Sequence, residues 1–319
     1  TNMKTQLLTI LIPVYNEENC MPFLYRHLLE VAEILPCEIE FLFVNDGSTD
    51  SSLSTIRHLQ QKDSRISIVD LSRNFGKEKA VSAGIDYAKG KTLTILDADL
   101  QDPPELIPLM WREIENGYDD LYACRTSRKG ETHFKCWSAR TYYRWLHYLA
   151  NIPIQEDTGD FRMFSEKAIC ALRQLKECER NMKGLFSFIG LKKKAIYYER
   201  NPRIAGKTKW NYLKLFDLAI KGFTSFSILP LRFVSFLGCI VSVIAFIYLA
   251  VVVIKALLYG DPVAGYPSLM AVQLFLGGSI MLALGIIGEY LGIVYNETKK
   301  RPIYYVNEYL PMHNKNKEE

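Results

Sequence analysis

The sequence has none of the cysteine patterns that build a disulfide framework or a structural zinc site. Its 319 residues include 7 cysteines, an odd number with no CxxC pair, and no histidine spacing typical of zinc ligands accompanies them. We therefore expect reduced thiols, as in cytosolic proteins.

Strong net charge and the common nucleotide-binding motifs are missing as well. A formal charge of +4 on 319 residues is too small to indicate nucleic acid, so we expect no nucleic-acid partner. No apolar run ends in GxGxxG or GxxxxGK[ST], which argues against a dinucleotide fold and a P-loop ATPase. The first residues lack a charged segment followed by an apolar one, so we expect no secretory signal.

Charged residues are absent from two long apolar runs, 233–254 and 269–287. Each run is long enough to cross a bilayer core of about 30 Å at about 1.5 Å per residue. The connecting segment YGDPVAGYP contains turn residues, so we expect a transmembrane helical hairpin. The alternative is a pair of helices buried in a protein core.

Basic residues flank the outer ends of these two runs, whereas only Lys255 lies near the link. Those before the first run are Lys207, Lys209, Lys214, Lys221 and Arg232, and those after the second are Lys299, Lys300 and Arg301. The positive-inside rule then predicts a multi-pass protein of the cytoplasmic membrane with both termini in the cytosol. The segment NYLKLFDLAIKGFTSF has apolar residues at helical spacing with interposed lysines, which predicts a helix lying in the membrane interface.

These patterns divide the chain into four parts. We expect a soluble domain over 1–210, an interfacial amphipathic helix over 211–227, two transmembrane helices over 228–296 and a cytosolic tail over 297–319. The tail segment RPIYYVNEYL predicts a β-strand. Because an exposed strand edge seeks a partner, it indicates a homo-oligomer.

The soluble part alternates between apolar strand-like runs and helical stretches. The four runs are LLTILIPVYN, EIEFLFVNDGSTD, ISIVDLSRN and TLTILDADLQDPPE. This alternation predicts βαβ units, an α/β fold and a parallel sheet. In such sheets ligands bind beyond the carboxyl ends of the strands. Polar clusters follow three of the runs, at residues 15–17, 45–48 and 97–105.

The acidic cluster is the most informative of the three. Asp97, Asp99, Gln101 and Asp102 crowd one turn, and carboxylates this close repel one another unless a cation lies between them. Hard oxygen ligands of this kind suit Mg²⁺ or Mn²⁺, which commonly bridge to substrate phosphates. The alternative is a solvated turn whose acids cap the helix that begins near Pro104.

Seven segments occur in the order found in a known family: PVYNE, VNDGS, SRNFGKEKA, DADLQDPPE, DTGDFR, RIAGKTKW and GIIGEYLG. The series resembles glycosyltransferase family 2, and in particular its polyprenyl-phosphate glycosyltransferases, which include bactoprenol glucosyltransferases and dolichyl-phosphate mannose synthases. The resemblance covers nearly the whole chain. It implies a Rossmann-like GT-A domain that binds a nucleotide sugar, an inverting transfer and a divalent metal, Mg²⁺ or Mn²⁺.

The resemblance also implies roles for single residues. In the nucleotide-sugar pocket it places Pro13, Tyr15, Glu17, Asp46, Lys77, Asp97, Arg125 and Arg128, with Asp46 at the uridine or ribose and the three basic residues near phosphates. It assigns the metal to Asp97, Asp99 and Gln101. Many family members have a second aspartate where Asn45 stands, and an amide still offers both a donor and an acceptor. Each basic residue alone could equally be a solvated surface charge.

The chemistry requires an acceptor oxygen in line with the sugar carbon and a stabilised leaving group. Relatives that act on hydroxyls use a carboxylate base, for which Asp157 and Asp160 are candidates here beside the catalytic Asp99, and we favour Asp157. A phosphate monoester has a second pKa near about 6, so a lipid phosphate needs little deprotonation. The carboxylate can instead orient groups or support the metal.

A dianionic acceptor needs cations near the membrane. Arg200, Arg203 and Lys209 precede the interfacial segment, and arginine forks match phosphate oxygens. The alternative is a basic patch that contacts anionic lipid headgroups. The resemblance thus implies transfer of one hexose, with glucose favoured, from a UDP-sugar to undecaprenyl phosphate. Alternatives are a mannose synthase that uses GDP-mannose and dolichyl-type phosphate, and a non-catalytic nucleotide-sugar-binding assembly partner.

Overall fold

The computed structural model describes residues 6–125, 158–177, 180, 182–198 and 265–313, together with single positions between 231 and 258. These residues belong to two compact units. The first contains the described residues up to 198 and those from 302 to 313, and the second contains the described residues from 231 to 301.

The first unit alternates strands and helices along most of its length. In chain order it comprises β1 (Leu7–Val14), α1 (Met21–Ile34), β2 (Glu38–Asn45), α2 (Ser52–Lys62), β3 (Ile66–Leu71), α3 (Lys77–Tyr87), β4 (Thr92–Ile95), a 3-10 turn (Pro104–Leu106), α4 (Ile107–Glu115), β5 (Asp120–Arg125), β6 (Thr158–Phe164), α5 (Glu166–Gln174), α6 (Met182–Phe188), β7 (Lys193–Tyr198) and β8 (Val306–Leu310). The predicted α/β class is confirmed, and the four predicted strands are β1 to β4.

The eight strands form one sheet in the order β7-β5-β6-β4-β1-β2-β3-β8. Strands β1 to β4 are mutually parallel, as predicted, but β6 and β8 run against the other six. The parallel sheet predicted from the first four strands is confirmed for those strands, whereas the whole sheet is mixed. The regular strand–helix alternation, which enforces parallel neighbours, covers only the first four strands.

Helices cover both faces of the central strands. Ile10 and Ile12 of β1 pack in one core with Leu24 of α1. Because side chains alternate along a strand, Leu11 points to the opposite face. There Gly84 of α3 leaves room for it, since a Cβ at position 84 would lie 2.0 Å from Leu11 Cδ1. Both faces of the central strands are thus buried.

The predicted tail strand is β8, which pairs antiparallel with β3 of the same chain. Arg57 of α2 binds Glu308 at 2.5 Å, and the hydroxyl of Tyr304 donates to Asp86 at 2.7 Å. One edge of the predicted strand is therefore paired within the chain's own sheet, in which β8 is the last strand. The homo-oligomer stays a prediction.

The second unit contains one long helix, α7 (Tyr266–Thr298). Within the described residues its segment Phe275–Thr298 has the length and hydropathy needed to cross a membrane. The helix continues past residue 287, where the apolar run ends, as far as Thr298. The described positions between 231 and 258 are helical too. The link 259–264 and the amphipathic segment 211–227 lie outside the described residues.

We predict that the loop after β2 tolerates no side chain at Gly47. Gly47 has a φ of +63°, and a Cβ there would lie 2.4 Å from the Arg73 carbonyl carbon and 2.5 Å from Asn74 N. Gly117, after α4, has a φ of +84° with open space around it. An alanine costs about 1–2 kcal/mol through the left-handed backbone alone. Because Gly47→Ala adds a backbone clash, it should lower the melting temperature of the purified chain at least roughly twice as far as Gly117→Ala.

If Gly47→Ala lowers the melting temperature no further than Gly117→Ala does, the close approach of Gly47 to the backbone of Arg73 and Asn74 is contradicted.

Candidate active site

The loops after β1 and β2 meet at the carboxyl edge of the sheet. Asn16 has a φ of +55°, a left-handed conformation that asparagine tolerates. Its Oδ1 accepts a hydrogen bond from Thr49 N at 2.8 Å, and its own N–H donates to Ser48 Oγ at 3.1 Å. Glu17 N likewise donates to Ser52 Oγ at 2.9 Å. The two loops are therefore held as one unit.

The residues assigned to the nucleotide pocket after β1 lie at this edge. Pro13, Tyr15 and Glu17 are all half-buried there. Because β1 is central in the sheet, their positions agree with a site beyond the strand ends. Their contact with a nucleotide stays a prediction.

Asp46 organises the loop that precedes α3. Its buried carboxylate accepts hydrogen bonds from Phe75 N at 2.7 Å and Gly76 N at 2.9 Å. Burial raises the pKa of Asp46, and these two N–H donors oppose the shift. Each oxygen keeps a second lone pair, so the predicted contact with a ribose or base remains open to it. The immediate effect is to fix where α3 begins.

Lys77, the first residue of α3, places its ammonium between two carboxylates. Its Nζ lies 2.7 Å from Asp97 Oδ1, at the end of β4, and 2.6 Å from Asp160 Oδ2, in β6. Within the protein its partners are acidic side chains, and its predicted position near substrate phosphates stays a prediction. The cation pairs with Asp97, one of the carboxylates of the acidic turn.

The three groups perturb one another unequally. Burial disfavours the charged ammonium of Lys77, yet Asp97 and Asp160 outweigh it and raise the pKa. Burial raises the pKa of Asp97 despite Lys77, with Asp160 adding repulsion. For Asp160 burial also acts upward, but Lys77 and Lys183 dominate and lower its pKa to about 2. Two carboxylates share one ammonium, and Asp160 gains more from it.

The acidic turn itself is strained and is also held by a side chain from β7. Leu100 lies between Asp99 and Gln101 with a φ of +56°, a conformation that costs a residue of this type about 1–3 kcal/mol. Asp99 Oδ1 accepts a hydrogen bond from Gln101 N at 3.2 Å. Asp102 is buried and accepts a hydrogen bond from the hydroxyl of Tyr198 at the end of β7. These contacts set the shape of the turn.

The donor set fits a divalent cation that is completed by substrate. Asp97 and Asp99 offer hard carboxylate oxygens on one turn, and Asp160 Oδ1 is buried without a hydrogen-bond partner. Among the described residues no three acidic, histidine or cysteine side chains group closely enough to hold a metal alone. Mg²⁺ commonly binds one or two carboxylates plus substrate phosphates, which matches this arrangement.

Several predicted site residues lie outside the described part of the chain. They are Arg128, Asp157, Arg200, Arg203 and Lys209. Arg125 ends β5, but its side chain is likewise outside the described set. The roles assigned to these residues stay predictions.

Two residues of this site were not found from the sequence. Tyr198 is 96 residues from Asp102, and no local pattern marks it. Glu78 is half-buried beside Lys77 and accepts a hydrogen bond from Met182 N at 3.0 Å. Its position inside the segment SRNFGKEKA could have drawn attention to it.

Residues 9–172 match the model of the family described as glycosyl transferase family 2. The chain belongs to this family. It is 47% identical over 313 residues to an uncharacterized glycosyltransferase of Synechocystis sp., covering 96% of this chain and 98% of that protein. It is 40% identical over 299 residues to a prophage bactoprenol glucosyl transferase homolog of Escherichia coli, covering 94% and 98%.

Among solved structures, the chain is similar to the glucosyl-3-phosphoglycerate synthase of Mycobacterium tuberculosis in complex with Mn²⁺, UDP and glucosyl-3-phosphoglycerate. The TM-score is 0.47 and the identity 15%, over 68% of this chain and 76% of that one. Family membership makes the chain a glycosyltransferase, with the GT-A-like mixed α/β sheet described above.

We predict that this glycosyltransferase depends on the charge of Lys77. Lys77→Met keeps the length of the side chain but leaves Asp97 and Asp160 facing each other without a cation. In membranes that contain the variant, the rate of sugar transfer from a nucleotide sugar should fall about 10²-fold or more, which is the scale of losing a preorganised electrostatic contact. The control Lys91→Met removes an exposed ion pair with Glu166 and should leave the rate nearly unchanged.

A rate for Lys77→Met close to that of Lys91→Met would show that the Lys77 cluster is an ordinary surface ion pair.

We also predict a pH-dependent cost at Glu78. Burial, followed by repulsion from Asp160, raises its pKa to about 7. The pKa of a glutamate in an unfolded chain is about 4.3, so the folded chain holds this proton more tightly. The protonated Glu78 therefore stabilises the fold fully below about pH 4.3, and this contribution is lost as the pH rises through about 7. Glu78→Gln removes the decline and can still accept from Met182 N.

Thermal unfolding of the purified chain at about pH 5 and about pH 8 tests this. The gain in melting temperature of Glu78→Gln over the wild type should be about 3–8 °C larger at the higher pH. Glu38→Gln, at an exposed position at the start of β2, should show no such difference. An equal gain at both pH values would contradict the raised pKa.

Proposed function

We propose that this glycosyltransferase transfers one hexose, with glucose favoured, from a UDP-sugar to undecaprenyl phosphate at the cytoplasmic face of the membrane. The observation that carries the proposal is the cluster of Asp97, Lys77 and Asp160 beside the acidic turn, at the ligand edge of the sheet. Relatives named bactoprenol glucosyl transferase, similar over 94% of this chain, support the choice of acceptor.

The donor half rests on the charges of the cluster. Asp97 and Asp99 would hold a divalent metal, which when bound neutralises the leaving pyrophosphate as a Lewis acid. Lys77 holds Asp97 and Asp160 together and keeps their charges compensated. The paired loops after β1 and β2 provide the surface for the base and ribose, with Asp46 fixing the start of α3.

In the transfer step an oxygen of the acceptor phosphate attacks the anomeric carbon. The bond from that carbon to UDP breaks, UDP leaves with the electron pair, and the configuration inverts. With a pKa near about 6 the phosphate is already ionised at neutral pH. Asp160 is paired with Lys77 at 2.6 Å, and we favour Asp157 as the carboxylate that orients the acceptor.

The membrane half rests on exposed apolar surface. Large side chains of α7 are exposed along the helix, including Leu269, Phe275, Ile280, Leu284 and Leu291. Soluble proteins rarely expose an apolar surface that extends along a whole helix, so α7 needs an apolar environment. A bilayer supplies one over the length of the segment Phe275–Thr298.

The position of β8 supports an even number of membrane crossings. The strands β7 and β8 belong to the same sheet, yet the apolar segments lie between them in the chain. A chain that leaves a domain and returns to it begins and ends on one side of the membrane. With α7 as one crossing, the uncharged run 233–254 supplies the second. Basic residues at both outer ends favour the cytosolic side.

The acceptor phosphate is assigned from the sequence. Arg200, Arg203 and Lys209 directly precede the segment expected in the membrane interface. A polyprenyl chain stays in the bilayer, so its phosphate can be captured only near that boundary. Arginine forks and the lysine charge suit this dianion.

Membranes containing the chain, incubated with undecaprenyl phosphate and radiolabelled UDP-glucose, UDP-galactose, UDP-N-acetylglucosamine or GDP-mannose, test the proposal. We expect label in the lipid extract with UDP-glucose above all others. Labelling with GDP-mannose alone would overturn the donor assignment and establish a mannose synthase. Label in none of the lipid extracts would overturn the acceptor assignment.

We further predict that transfer requires a divalent metal held by the acidic turn. EDTA should abolish labelling, and Mg²⁺ or Mn²⁺ should restore it. Asp99→Asn keeps the side-chain shape but loses the charge, and the rate should fall about 10²-fold or more. Glu105→Gln is the matched control, because Glu105 lies in the same segment with a 60% exposed side chain and should matter little. Full activity in EDTA would contradict the metal assignment.

A further inference from the structure

Three side chains form a hydrogen-bonded ladder beside the loop after β2, and the transfer mechanism makes no use of it. Asn45 Nδ2 donates to Asp70 Oδ1 at 2.7 Å, and Asn307 Nδ2 donates to Asp70 Oδ2 at 3.0 Å. The three residues belong to β2, β3 and β8, which are neighbours in the sheet. The ladder thus connects the C-terminal strand to the end of β2.

Strand direction explains why these residues meet. Asn45 and Asp70 are register partners at the carboxyl ends of the parallel strands β2 and β3. Strand β8 is antiparallel, so it begins where β3 ends, and a register shift next to Asp70 accompanies that crossing. Asn307, the second residue of β8, is therefore delivered to the ligand edge although it is 237 residues from Asp70 in the chain.

The ladder fixes the amide of Asn45 in one orientation. Asp70 is buried, and its carboxylate can only accept, so each of its oxygens requires a donor. The Nδ2 of Asn45 must face Asp70, which turns its Oδ1 toward Ser48 N at 3.3 Å. Ser48 Oγ in turn accepts from Asn16 N at 3.1 Å. The order imposed by Asp70 therefore extends into both loops of the candidate nucleotide pocket.

We propose that Asn307 is a positioning residue for nucleotide binding. By holding one oxygen of Asp70, it orients the other toward Asn45 and thereby fixes the loop that carries Asp46. The proposal rests on the nucleotide-sugar function given above. Asn307 is exposed, so water can reach the Asp70 carboxylate once the amide donor is lost. The carboxylate is then no longer held in one orientation, and the loop after β2 loses its fixed amide.

The test uses the purified full-length chain with Mg²⁺ and UDP, measured by titration calorimetry, alongside steady-state kinetics. Asn307→Leu keeps the side-chain size and removes the donor. We expect the dissociation constant for UDP and the KM for the UDP-sugar to rise about 5- to 20-fold, because a hydrogen bond to a charged group is lost. The kcat should stay within about twofold, and the KM for lipid phosphate should not change.

Two further variants separate positioning from simple strand stability. Asn307→Gln retains an amide donor and should recover part of the UDP affinity. Glu308→Gln is the matched control on the same strand, since Glu308 faces Arg57 at an exposed position and should leave UDP binding unchanged. Should Asn307→Leu fail to fold, Asn307→Ala also removes the donor and has a shorter side chain.

The outcomes distinguish this proposal from the proposed function. A lower melting temperature for Asn307→Leu with UDP affinity within about twofold of the wild type would make β8 a purely structural strand and overturn the proposal. If the wild type binds GDP and not UDP, the donor assignment fails, and the same variants measured with GDP decide the role of Asn307. If the wild type binds no nucleoside diphosphate, both fail.

Discussion

The arrangement of the candidate active site depends on one ion cluster, in which the ammonium of Lys77 lies between Asp97, just beyond β4, and Asp160 in β6. Without it, Asp97 and Asp160 would face each other at the edge of the sheet with nothing between them. The cation is delivered by the start of α3, and that start is fixed by the backbone hydrogen bonds that Asp46 accepts. The acidic residues that suit a metal can therefore coexist in the folded chain before any ligand arrives.

The strands β1 to β4 and the polar clusters that follow them could be predicted from the sequence, since their signals are local. Buried strands appear as short apolar runs, and polar residues that follow them, such as Asp97, mark the ligand edge. Residue type is visible in a sequence, but the partner of a charge is not. The pairing of Lys77 with carboxylates just beyond β4 and in β6 was therefore not foreseen, and its contact with phosphate stays a prediction. The link between Tyr198 and Asp102 spans 96 residues and leaves no periodic trace.

Three left-handed backbone conformations also lie at the carboxyl edge of the sheet. Asn16, Gly47 and Leu100 all have left-handed backbone angles, and each lies just beyond the end of a different central strand. The backbone is extended within a strand, so a chain that turns sharply just after a strand and exposes polar groups there often adopts a positive φ. Leu100 is the costliest of the three, because a branched side chain tolerates this region poorly. Its burial and the anchoring of Asp102 hold the turn in place.

The place of β8 in the sheet has a consequence for biosynthesis. The edge of β3 is completed by a strand that leaves the ribosome only after α7, and their contacts span more than 230 residues, as between Asp70 and Asn307. Until then the nascent domain exposes an open sheet edge, a state that slows folding and invites wrong pairing. The last sheet contact thus forms only once the apolar segments have been synthesised, so an unfinished chain carries an incomplete sheet.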